Sequence, residues 1–156
     1  MKRKSYTLIR ELRGQIYRSI LDLARVYCDK ALLIIREAGS MSDEVVKFNQ
    51  RLEGFETKRE MSSDWPGTRL HGADALVVWY RLDPECTSLL GEVTEGLYDW
   101  LLPNLPEDLC LMRADGTPWL VSITHEGDSY LELSDEEYEH LLDRIPEIES
   151  YLQKEQ

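Results

Sequence analysis

Residues 109–133 run LCLMRADGTPWLVSITHEGDSYLEL. Three short runs, Leu109 to Arg113, Thr117 to Thr124 and Ser129 to Leu133, are separated by Ala114-Asp115-Gly116 and by His125-Glu126-Gly127-Asp128. Asp and Gly supply the backbone conformations that tight turns require, so this stretch predicts a three-stranded antiparallel meander. Downstream, Ser134-x-x-Glu137 is a capping box that opens a helix through Leu141, Leu142 and Ile145. Pro146 ends that helix, and a helical tail is expected after it. Upstream, Ala75 to Leu82 is nearly continuous apolar sequence rich in Val and aromatics, which predicts one further strand.

The rest of the chain reads as helix. Ile9, Leu12, Ile16, Ile20, Leu23, Tyr27, Ala31, Ile34 and Ala38 recur at steps of three and four, as an α-helix requires. A single helix from Thr7 to Ala38, stopping at Gly39, would be about 48 Å long at 1.5 Å per residue. That exceeds the diameter of about 39 Å expected for a compact chain of this length. The helix must therefore bend at Gly14 or project its basic first turns, and a projecting end predicts docking on a second copy as a two-fold dimer. A second helix should begin near Ser42, with Val45, Phe48, Leu52 and Phe55 on its apolar stripe. Asp83-Pro84 places an N-cap before a proline at the first helical position. From there Cys86, Leu89, Leu90, Val93, Leu97 and Trp100 keep helical spacing up to Pro103. The expected fold is a single α+β domain over residues 1–156, in the order α-α-β-α-β-β-β-α. Its antiparallel sheet has about four strands, one strand plus the meander, with helices packed over one face.

Composition sets the limits on function. The 156 residues carry 18 Lys and Arg against 30 Asp and Glu, a net charge of −12. An excess of this sign argues against nucleic acid or an anionic membrane as partner, because both are bound through surplus Lys and Arg. The charge is also divided along the chain. Residues 1–36 hold nine basic and three acidic residues, whereas residues 83–156 hold three and nineteen. Either the two blocks face each other, or the acidic block offers a surface to a basic partner. No apolar run approaches the roughly 20 residues of a membrane span, no secretory signal is expected, and a cytoplasmic location follows from that reading. Cys28, Cys86 and Cys110 are odd in number and widely spaced, as expected of buried thiols in a reducing compartment.

Motifs for familiar chemistry are missing. The sequence contains neither G-x-x-x-x-G-K-[ST] nor G-x-G-x-x-G, and neither a G-x-S-x-G elbow nor H-E-x-x-H. No cofactor and no metal are expected, and no catalytic residue is named. Asp115 and His125 cannot share an ion, since eight strand residues at about 3.3 Å each lie between them. Hairpin pairing instead brings the Asn104–Asp108 loop toward the turn after the second meander strand. That end is expected to gather Asn104, Glu107, Asp108, His125, Glu126 and Asp128, a set suited to a hard cation or to acid–base work. Trp79, Tyr80, Trp100 and Trp119 belong in the core. Trp65, in the polar loop Ser62-Ser63-Asp64-Trp65-Pro66-Gly67, either plugs the core or contacts a partner. His71 and His140 are expected at the surface.

Three segments, Trp65-Pro66-Gly67-Thr68, Pro103-Asn104-Leu105-Pro106-Glu107-Asp108-Leu109-Cys110 and Arg113-Ala114-Asp115-Gly116-Thr117-Pro118-Trp119-Leu120, resemble small soluble proteins of Gram-positive spore-forming bacteria. Some of those carry a stage III sporulation label. The resemblance implies a cytosolic bacterial protein and assigns no functional residue. Taken together, the expectation is a non-enzymatic interaction protein. Its acidic C-terminal half would meet a basic protein through Glu136, Glu139 and Trp65, in the manner of an immunity or antitoxin-like inhibitor or a sporulation accessory protein. The alternative is a small enzyme or ligand binder using the loop end around Asn104 and His125.

Overall fold

Ala31 to Ile35 is buried at every residue. A run covered on both faces is the mark of a central strand and not of a one-sided helix. In the computed structural model, which describes residues 2–36 and 42–154, this run lies in strand β2 (Cys28–Ile35). The long N-terminal helix is thereby corrected. Residues 4–35 form β1 (Lys4–Leu8), a short helix α1 (Gln15–Ala24) and β2. Gly14 (φ +75°) precedes α1, and Ile9, expected on the apolar stripe, is exposed. Ala38 and Gly39 lie outside the described residues.

The remaining elements follow in order: α2 (Asp43–Leu52), β3 (Glu56–Ser62), the hairpin β4 (Asp64–Trp65) and β5 (Thr68–Arg69), and β6 (Ala75–Arg81). Next come α3 (Pro84–Val93), the meander β7 (Glu107–Arg113), β8 (Pro118–Ile123) and β9 (Asp128–Leu133), then α4 (Asp135–Arg144) and β10 (Leu152–Lys154). The chain is α+β with an antiparallel sheet, but the sheet has eight strands instead of about four, in the order β10-β1-β9-β8-β7-β2-β6-β3. The caps anticipated at Asp83 and Ser134 are present, and Ser42, near which a helix start was expected, is a cap as well; each side chain accepts from a backbone amide of the first turn. Helix α3 ends earlier than expected. After Val93 the backbone turns extended at Thr94, and Gly96 bridges Arg13. After Pro146 the tail is a 3-10 turn leading into β10.

Helices cover one face of the sheet. Ile16, Tyr17 and Ile20 of α1, Phe48 of α2, Leu90 of α3 and Leu141 of α4 pack with Leu33, Val78, Tyr80, Leu111 and Leu131 from the strands. Leu32, Ile34, Val77, Cys110, Met112 and Val121 form a second, smaller cluster on the opposite face, where Trp65 and Leu70 pack against it. The β4–β5 hairpin is therefore a lid over the sheet. Gly67 (φ +85°) makes its turn, and a Cβ there would stand 2.9 Å from side-chain atoms of both Val121 and Ile123. Only glycine suits that backbone and that approach. Among the described residues no helix is long and apolar enough to cross a membrane.

Candidate functional site

A bulge sets up the site. Between Leu32↔Cys110 and Ile34↔Glu107, β7 carries one more residue than β2, and Asp108 takes φ +57° within it. Asp tolerates the left-handed region better than most residues, and a bulge of this kind re-aims a side chain. The Asp108 carboxylate is thereby fully buried. Its Oδ1 accepts from the Thr124 amide at 2.8 Å, and its Oδ2 accepts from the Trp65 indole Nε1 at 3.2 Å. Glu107 pairs in register with Ile34, and Arg36 follows the end of β2.

The Arg36 guanidinium stands among three groups. Its Nε lies 2.8 Å from Glu107 Oε2, and its Nη2 lies 3.7 Å from Asp108 Oδ2 and 3.4 Å from His125 Nδ1. The Trp65 ring sits 5.4 Å from it in a cation–π contact. Oxygens of Glu107 and Asp108 and a ring nitrogen of His125 all lie within 4.8 Å of one another. Burial pushes the Glu107 carboxyl above the usual range, Arg36 opposes that, and Asp108 reinforces it. The Glu107 and Asp108 side chains are 9% and 0% exposed, whereas His125 is 41% exposed and gives the cluster its opening to solvent.

Of the six residues expected at this end of the sheet, Glu107, Asp108 and His125 meet. Glu126 is exposed beside His125 (3.9 Å), and Asp128 is exposed at the start of β9. Asn104 lines a different groove of about 880 Å³ with Phe48, Leu101, Leu102 and Lys47, and none of the three clustered residues lines it. Of the two placements expected for Trp65, the structure shows the buried one: it roofs the cluster and is not exposed for a partner contact. Arg36 is not singled out by the sequence periodicity, which places it within a helix. The signal for it was a lone cation directly after a fully apolar run.

A second ionic constellation is structural. Arg113 donates through Nε and Nη2 to both carboxylate oxygens of Glu137 at 3.1 and 2.7 Å, and through Nη2 to the Glu132 carbonyl at 2.7 Å. It ties the meander to α4. The three cysteines are buried, and burial pushes their thiols up to about 12, so none is a nucleophile at neutral pH. Trp100, Trp119 and Tyr80 lie in the core, while Trp79 is half-buried on the hairpin face. His71 is exposed. His140 is half-buried, hydrogen-bonded through Nδ1 to the Tyr27 hydroxyl.

The two charge blocks meet. Arg3, Lys4, Arg13 and Arg18 pair with Asp115, Asp135, Asp99 and Glu95 at 3.8, 3.2, 3.2 and 3.5 Å, and Arg36 adds Glu107 and Asp108. On α4 and the turn after it, Glu136, Glu139, Asp143, Glu147 and Glu149 are exposed, and none has an ion pair among the described residues. Among known proteins, no family model, no curated protein and no solved structure matches the chain.

Proposed function

We propose that the protein is a non-enzymatic interaction protein that docks a basic protein partner on the acidic outer face of α4 and the turn after it. The observation that carries this reading is what remains after internal neutralisation. The N-terminal cations take up Asp99, Glu95, Asp115 and Asp135, and leave Glu136, Glu139 and Asp143 unpaired on one helix face. At spacings of three and four residues, like charges destabilise an isolated helix by a few tenths of a kcal/mol per pair. The helix dipole accounts for Glu136 in the first turn, but not for Glu139 or Asp143 further along. A cationic cleft on a partner would relieve that repulsion, and an immunity- or antitoxin-like inhibitor is the sharpest form of the proposal.

Its test begins with capture of a partner from native cytosol and proceeds to stopped-flow association. Glu139→Lys with Asp143→Lys should slow association by about tenfold or more at low salt, with the difference shrinking as salt rises. Association insensitive to both salt and the double reversal overturns the reading. The convergence of Glu107, Asp108 and His125 favours a second reading, in which this end of the sheet binds a ligand.

A further inference from the structure

We infer that Glu107, Asp108 and His125 form a binding site for a divalent transition-metal ion, and that Arg36 is an internal cation standing in that ion's place. This rests on the second, ligand-binding reading and is independent of docking on α4. A guanidinium only donates, so the His125 Nδ1 facing Arg36 presents its lone pair to the same point as the two carboxylates. Three lone-pair groups therefore converge on one positive charge.

The fit of Arg36 to that position is imperfect. Although Nε and Glu107 Oε2 are 2.8 Å apart, both atoms are buried and neither makes an aligned hydrogen bond. The pair is held by charge without direction. A metal ion needs no donor alignment, and it carries two charges where Arg36 brings one against two carboxylates. Ligand atoms within 4.8 Å of one another leave a common centre at most about 2.8 Å from each, so small side-chain rotations reach bonding distances of about 2.0–2.2 Å. An imidazole with two carboxylates selects zinc, manganese or iron(II) over calcium or magnesium. The Trp65 indole and the Thr124 amide already orient Asp108 from outside, as outer partners do for ligating carboxylates.

Calorimetric titration of the full chain with Zn²⁺ and with Mn²⁺ tests the assignment. Arg36→Ala should bind about tenfold or more tightly than wild type, because the competing cation is gone, and His125→Ala in that background should abolish the gain. Thermal unfolding of each variant checks that it folds. If Arg36→Ala does not fold, quenching of tryptophan fluorescence by Co²⁺ is compared between wild type and His125→Ala, and a response that depends on His125 is expected. Binding no tighter in Arg36→Ala, a gain that survives His125→Ala, or quenching indifferent to His125 overturns the proposal. Loss of α4 docking in the variants of the preceding section would leave these results unchanged.

Discussion

Trp65 and Gly67 hold the β4–β5 hairpin down by different means, and substitutions separate them. Trp65→Phe keeps most of the packing on the Leu32–Val121 cluster but removes the indole donor to the buried Asp108 carboxylate. Leaving an oxygen of Asp108 unsatisfied should cost about 1–3 kcal/mol in chemical denaturation. Gly67→Ala leaves every hydrogen bond intact, yet it combines a positive φ with a Cβ 2.9 Å from Val121 and Ile123. A loss of at least about 1 kcal/mol is expected, with hydrogen exchange rising first in the hairpin. The sequence Trp65-Pro66-Gly67 announces a turn and offers burial of the tryptophan as one of two placements, but its bond to Asp108 is not legible there. That bond depends on a bulge in a strand more than forty residues away. Glu107, Asp108 and His125 were within reach of sequence reasoning because hairpin pairing alone brings the start of β7 level with the end of β8. Arg36 was not, since its position depends on β2 being a strand.

Helix α4 is a local element with a long-range clamp. Glu137 Oε1 accepts from the Ser134 amide at 2.8 Å and also from Arg113, so one carboxylate closes the capping box and the buried ion pair. Glu137→Gln should cost about 3–5 kcal/mol, the range for leaving a buried Arg unpaired, whereas Ser134→Ala should cost about 1 kcal/mol. Burial alone would raise the Glu137 carboxyl, but the hydrogen bonds from Arg113 and the Ser134 amide outweigh it and hold it below the ordinary 4.5. A folded pKa below the unfolded one gives stability that is complete above the ordinary value and is lost as pH falls through the depressed one. The stability gap between wild type and Glu137→Gln, followed by denaturation from pH 6 down to pH 3, should therefore narrow on the acid side. A gap constant over that range would contradict the linkage. The N-caps at Asp83 and Ser134 and the helix start near Ser42 were legible because each rests on residues adjacent in sequence. Strand β3 was not: its exposed edge residues, from Thr57 to Met61, give no apolar signal. The apolar run of β2 misled for the opposite reason, since a segment covered on both faces shows no alternation to oppose a helical count.

At the scale of the whole molecule, β1 lies between β9 and β10, and among the described residues β10 is hydrogen-bonded in the sheet only to β1. Around this margin and beyond it, Arg3 and Lys4 pair with Asp115 and Asp135, and Arg13 and Arg18 pair with Asp99 and Glu95 after α3. Exposed pairs of this kind are worth little singly, and the pairing of strands does more than the pairing of charges. A chain starting at Gly14 would strip one edge of the sheet and uncover Tyr6 and Leu8 contacts in the core. Such a truncation should lose the cooperative thermal transition of the full chain, with circular dichroism as the readout. A transition retained within a few degrees would show that the β10-β1 margin is dispensable. The length mismatch that predicted a dimer disappears with the long helix, because residues 4–35 form two separate strands of the sheet joined through a short helix packed on its face.

The position of β1 also fixes an order in time. Its partner residues in β9 lie more than 120 positions further along the chain, Tyr6 pairing with Leu131. At a synthesis rate of about 5–20 residues per second, β1 spends roughly 6–25 s outside the ribosome before its neighbour exists. During that interval its backbone is an unpaired strand with two large apolar side chains, open to any passing edge. Lys2, Arg3 and Lys4 precede and enter the strand and Arg10 follows it, a cluster of like charge that discourages two nascent copies from zipping together. The basic character of this end thus serves the unfinished chain before it serves the finished one.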